Sequence, residues 1–159
     1  MLLFKRVNIL VVDDESGVRS ILSCRISRSR HQVTTAIDGS EALRCVARAK
    51  TPFELIITDH QMPGMSGCEF VRQLREICLA GKVIVFSAHV SAEDERRYHD
   101  LDVKKMLVKS GGFGELIGIV DSLGKLSPEG RKFYWLQHGT ALSRGGDRPV
   151  PPDDDDRGF

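Results

Sequence analysis

Three short, almost unbroken apolar runs in this chain stop abruptly at charged residues, and no other feature restricts the fold as much. Val7-Asn8-Ile9-Leu10-Val11-Val12 runs into Asp13-Asp14, Phe53-Glu54-Leu55-Ile56-Ile57-Thr58 into Asp59, and Met106-Leu107-Val108 into Lys109. Runs this short and continuous are the signature of strands buried on both faces, since a strand with one wet face alternates instead. Parallel strands need crossover helices, and the intervening segments supply them. Residues 16–27 carry Val18, Ile21, Leu22 and Ile26 on one predicted face, and the helix after the second run carries Phe70, Val71, Leu74, Ile77 and Cys78.

The pattern repeats along the chain. Residues 32–36 read as a weaker strand, and Asp38-Gly39-Ser40 makes a turn and cap into a helix with Ala42, Leu43, Val46 and Ala47 inward. Residues 82–86 are the fourth strand. Ser91-Ala92-Glu93-Asp94 opens a very polar fourth helix with only Ala92, Tyr98 and Leu101 to bury, predicted to be the most loosely held element. After a fifth strand at 105–108, the last helix buries Leu116, Ile117, Val120 and Leu123. Five strand–helix repeats predict an α/β domain, one parallel sheet with helices on both faces. From residue 127 the pattern fails: Phe133-Tyr134-Trp135-Leu136 stands as an isolated apolar cluster, and residues 139–159 are rich in Gly, Pro, Arg and Asp. The expected organisation is a domain over 6–126 and a largely disordered C-terminal extension over 127–159.

A chain of 159 residues supports one core, and its net charge of +1 gives no global case for nucleic acid or a membrane surface as partner. Cys24, Cys45, Cys68 and Cys78 form no C-x-x-C pair, which argues against a zinc site or disulfide framework. Lys5-Arg6 follow the apolar start, the wrong order for a signal peptide, and no apolar run reaches membrane-span length. These features predict a cytoplasmic protein.

Ligands of open α/β sheets bind at the carboxyl ends of the strands. Asp13, Asp14, Asp59 and Lys109 are expected to meet there, as a site for a divalent cation and a phosphoryl group. Singly, each has a plainer reading: Asp13-Asp14 as a helix cap, Lys109 as a solvated strand end, Ser87 as a turn residue. Asp59 resists one, because it follows a strongly apolar run with no turn residue between. Residues 118–125 fit a P-loop poorly, with wrong glycine spacing and no Ser or Thr after Lys125. A haloacid-dehalogenase-type phosphatase would need an Asp where Gln61 stands.

Taken in order, Asp13-Asp14-Glu15, Asp59-x-x-Met62-Pro63-x-Met65-x-Gly67, Ser87-Ala88 and Lys109 resemble the receiver domain of bacterial two-component response regulators. The resemblance implies a flavodoxin-like, doubly wound five-stranded sheet of order 2-1-3-4-5. It implies Asp59 as phosphoacceptor, with Mg²⁺ held by Asp13, Asp14, Asp59 and the backbone carbonyl of Gln61. Lys109 and the Ser87 hydroxyl would contact the phosphoryl oxygens. The implied partners are a sensor histidine kinase or a histidine phosphotransfer protein, and a downstream protein that reads the face of the fourth helix, fifth strand and fifth helix. Several positions depart from the family pattern. Ser110 follows Lys109 where proline is usual, Met106 takes the place of an aromatic switch residue, Asp102-Val103 replaces a Gly-Ala pair, and Gln61 and His89 occupy positions that tune phosphoryl lifetime.

The expected function is a single-domain response regulator in phosphorelay signalling, with no catalysis beyond its own phosphorylation and dephosphorylation. Two alternatives stand beside it: a phosphorylation-independent interaction module, and a phosphorelay intermediate that hands its phosphoryl group to a histidine phosphotransfer protein.

Overall fold

In the computed structural model, residues 4–77, 81–103 and 105–138 are described. Five strands, β1 (Asn8–Val12), β2 (Gln32–Ala36), β3 (Leu55–Thr58), β4 (Lys82–Ser87) and β5 (Lys105–Val108), form one sheet in the order β2-β1-β3-β4-β5. All neighbours pair parallel, with Leu10 of the central strand opposite Thr34 on one side and Ile56 on the other. The helices are α1 (Ser16–Arg28), α2 (Gly39–Arg48), α3 (Gly67–Glu76), α4 (Ala92–Asp100), α5 (Phe113–Lys125) and α6 (Pro128–His138). Among the described residues, no helix is long and apolar enough to cross a membrane.

Side chains alternate across a strand, so the sheet builds two cores. Ile9, Val11, Ile57 and Ile84 pack with Leu22 and Ile26 of α1 and with Leu116, Val120 and Leu123 of α5. On the opposite face, Leu10, Val12, Ile56 and Val85 pack with Ala42 of α2, Phe70, Val71 and Leu74 of α3, and Tyr98 of α4. Asp38, Ser66 and Ser91 cap α2, α3 and α4 by accepting the backbone N–H of Glu41, Glu69 and Asp94.

Some sequence expectations need correction. Ile21 and Ile77, predicted inward, are mostly exposed: Leu22 and Ile26 form the stripe of α1, and α3 ends at Glu76 just before Ile77. Cys78 lies outside the described residues. Ala92 is exposed and Leu101 half-buried, which leaves Tyr98 as the only buried side chain of α4. Asp102 has φ 59°, a left-handed conformation that Asp tolerates and Gly adopts freely, which accounts for the Gly expected there.

The first part of the extension folds as α6, a helix that the sequence pattern did not mark. Ser127 accepts the N–H of Gly130 through its hydroxyl and that of Arg131 through its carbonyl, and Pro128 occupies the first helical position, where a missing N–H costs nothing. Arg131, only 7% exposed, donates to the carbonyls of Leu123 (3.3 Å) and Leu126 (3.1 Å) and pairs with Glu54 at 3.0 Å. Tyr134 and Trp135 pack against the α1–α5 core. Residues 139–159 lie outside the described residues.

Candidate functional site

At the carboxyl edge of the sheet the strand ladders continue one residue past the strands. Asp13 N–H donates to Ala36 O (3.2 Å), Asp59 N–H to Val12 O (2.9 Å) and Lys109 N–H to Ser87 O (2.9 Å). These bonds fix where the three charged side chains leave the backbone. Arg19 of α1 steadies the first loop by donating to the carbonyls of Asp13 (2.8 Å) and Asp14 (3.0 Å). Carboxylate oxygens of Asp13, Asp14 and Asp59 consequently lie within 4.8 Å of one another.

Lys109 stands among these acids, as anticipated. Its Nζ is 2.9 Å from Asp13, 3.0 Å from Asp59 and 2.8 Å from Glu15. Burial alone would lower the ammonium's pKa, but the hydrogen bonds it donates to Glu15, Asp13 and Asp59 outweigh it and hold Lys109 protonated well above its ordinary range. Burial raises the Asp13 pKa and proximity to Asp59 adds to this, against the lowering by Lys109 and by the Glu15 N–H that Asp13 accepts. Glu15 belongs to the sequence motif, yet its contact with Lys109 was missed, because the pair is 94 residues apart.

The remaining candidates sit around this centre. Ser87 is buried at the end of β4 and its hydroxyl donates to the carbonyl of His89 at 3.4 Å. Gln61 is exposed in the loop after β3. One residue beside Asp59 was overlooked by sequence reasoning. The backbone N–H of His60 donates to Asp59 Oδ1 at 2.6 Å, while its ring reaches Tyr98 and Asp94 of α4. Only its adjacency to Asp59 could have drawn attention to it.

Three carboxylates converging within a few ångströms form an all-oxygen donor set, which suits a hard divalent cation such as Mg²⁺ and disfavours softer metals. Asp13, Asp14 and Asp59 would hold it.

A family model described as the response regulator receiver domain matches residues 9–121. Among curated proteins, the chain is 35% identical over 107 residues to the gliding motility regulatory protein of Myxococcus xanthus, covering 66% of this chain and 14% of that protein. It is 35% identical over 115 residues to the transcriptional regulatory protein PrrA of Mycobacterium leprae, covering 72% and 48%. The chain thus spans less than half the length of these relatives. Among solved structures, the response regulator protein TrrA of Thermotoga maritima, in complex with Mg²⁺ and BeF, is similar with a TM-score of 0.63 and 32% identity over 74% of this chain and 98% of that one. The Vibrio cholerae chemotaxis protein CheY4 aligns with a TM-score of 0.65 and 27% identity over 77% and 100%.

Proposed function

The chain belongs to the response regulator receiver family, and we propose that it works as a phosphorylation switch, taking a phosphoryl group from a histidine kinase or histidine phosphotransfer protein onto Asp59. One observation carries the reading. The Lys109 ammonium touches both Asp13 and Asp59 while Asp14 completes a three-carboxylate cluster, an arrangement that supports Asp59 as nucleophile, the acids as cation ligands and Lys109 as a fixed positive charge.

The chemistry follows from the charges. An oxygen of the Asp59 carboxylate forms a bond to phosphorus as the bond from phosphorus to the donor nitrogen breaks, giving an acyl phosphate. Two anions must approach for this, and a bound Mg²⁺ would neutralise charge and align the transfer. Lys109 is already hydrogen-bonded to Asp59 and needs little displacement to stabilise the incoming phosphoryl oxygens. Turning Ser87 Oγ from the His89 carbonyl would add a second donor. The output is a changed affinity for a downstream protein at the α4–β5–α5 face, in the cytoplasm, and the only chemistry is the protein's own phosphorylation and dephosphorylation.

Intact mass after incubation with Mg²⁺ and a small-molecule phosphodonor tests the reading. One added phosphoryl group that is lost with chelator and in Asp59→Asn is the expected result. No mass gain under conditions that label another receiver would refute it in favour of a phosphorylation-independent interaction module.

A further inference from the structure

We propose that His60 is a positioning residue that ties the chemical state of Asp59 to the attachment of α4, through Tyr98 and Asp94. The helix has few other holds on the domain. Tyr98 is its single buried side chain, fully enclosed in the α2–α3–α4 core. The Tyr98 hydroxyl meets His60 Nδ1 at 2.8 Å, and the two rings stand edge-on with centroids 5.6 Å apart. One turn earlier, Asp94 Oδ2 lies 3.2 Å from His60 Nε2. The roles follow from the partners. Burial holds the Tyr98 phenol far above its usual pKa, so it donates to Nδ1, leaving Nε2–H to donate to the Asp94 carboxylate, which also accepts from Ser91 Oγ at 2.6 Å.

The other end of His60 is bound as firmly to the site. Its backbone N–H donates to Asp59 Oδ1 at 2.6 Å, and its carbonyl accepts the Gly67 N–H at 2.8 Å. A Cβ at Gly67 would come within 2.1 Å of the Asp59 carbonyl oxygen and 2.8 Å of the Tyr98 hydroxyl, so α3 closes on both without slack. Met106, on β5 in the same core, supplies no ring of its own.

Attaching a phosphoryl group to Asp59 replaces a charged acceptor for the His60 N–H with a neutral acyl or ester oxygen, a weaker partner. His60 then shifts, and because its ring contacts both Tyr98 and Asp94, α4 loosens with it. The input signal rests on the phosphoacceptor reading; the linkage itself does not.

Hydrogen exchange at the α4 amides, read by mass spectrometry with the amides of β1 and β3 as internal controls, tests this in two arms. In the resting protein, Asp59→Ala and Tyr98→Phe each speed α4 exchange about fivefold, as expected for one lost hydrogen bond, and the double variant is no faster than the faster single. Multiplicative effects, or an α4 indifferent to Asp59→Ala, overturn the proposal. Should Tyr98→Phe fold poorly, Asp94→Ala cuts the same connection from its solvent side. In the second arm, Mg²⁺ and phosphodonor speed α4 exchange in the wild type as the mass rises. Tyr98→Phe gains the same mass without further acceleration. An equal acceleration in Tyr98→Phe overturns the linkage. A wild type that gains no mass instead refutes the phosphoacceptor reading, and the resting-state cycle still decides the linkage.

Discussion

Removing Lys109 exposes the electrostatic cost of the site. Asp13 and Asp59 are 2% and 5% exposed, so water screens them poorly. With their oxygens within 4.8 Å, two full charges repel by about 3.5 kcal/mol or more at an effective dielectric constant near 20. Lys109 offsets this by contacting both at 2.9 and 3.0 Å. In Lys109→Ala, protonation of one carboxylate and entry of water relieve part of the strain, and a net loss of about 2–3 kcal/mol is expected at neutral pH in chelator. For a domain of this size that lowers Tm by roughly 10 °C, measurable by differential scanning fluorimetry. Mg²⁺ substitutes for the missing ammonium, and at a hundredfold excess over its Kd it returns about 2.7 kcal/mol. The upward shift with Mg²⁺ is therefore larger in the variant than in the wild type. Adding Asp13→Asn to Lys109→Ala restores Tm without metal. If Lys109→Ala in chelator melts within about 2 °C of wild type, the carboxylates do not repel as their spacing demands, and the reasoning fails.

Three further outcomes are expected. His31 is neutral and buried between the Val7 N–H, which donates to Nδ1 at 3.2 Å, and the Val120 carbonyl, which accepts from Nε2–H at 3.1 Å; burial lowers its pKa from 6.5. Its contribution is complete above the unfolded pKa and is lost as pH falls through the folded one, by up to about 1.4 kcal/mol per pH unit, so urea unfolding of His31→Gln has a flatter dependence on mild acidification than wild type. Arg131→Ala costs about 2 kcal/mol and frees α6, so the emission of Trp135, the only tryptophan, shifts to the red; an unshifted spectrum would show that other contacts hold the helix. Gly67→Ala places a methyl 2.1 Å from the Asp59 carbonyl oxygen and destabilises by about 3 kcal/mol or more, so a variant with wild-type Tm would mean that the loop has slack.

What was readable in the sequence follows from the range of each interaction. β1 and β3 were legible because burial on both faces writes a continuous apolar run, and Asp13, Asp14, Asp59 and Lys109 because each stands one or two residues past such a run. Sheet order and the roles of the site residues then came as a set through the resemblance. The Lys109–Glu15 pair and the contacts of His60 were not legible, because partners 94 and 38 residues apart leave no local periodicity. Helix α6 is a different case, since its signal was present: Ser127-Pro128-Glu129 is a cap, a proline at the first position and an acid in the first turn. Four successive apolar residues at 133–136 masked it, because no 3.6-residue stripe survives such a block.

The two faces of the sheet are held by different kinds of contact, and this difference points to where a signal at Asp59 can travel. On the α1–α5 face, several attachments are remote from the carboxylates: Ser29 bonds Asp121 across the two helices, His31 ties Val7 to α5, and Arg131 locks α6 to Glu54 just before β3. A change of charge at the opposite end of the strands leaves these intact. On the other face, α2 and α3 are fixed by apolar stripes, but α4 is polar and depends on Tyr98 and Asp94, both bonded to the residue that follows Asp59. Elements that move are drawn from the weakly held end of a fold, and here the helix with a single buried side chain is the one wired to the site. On the proposed linkage, polarity in α4, which in the sequence looked like poor packing, is what lets a local event at one carboxylate alter one surface while the remaining fold stays put.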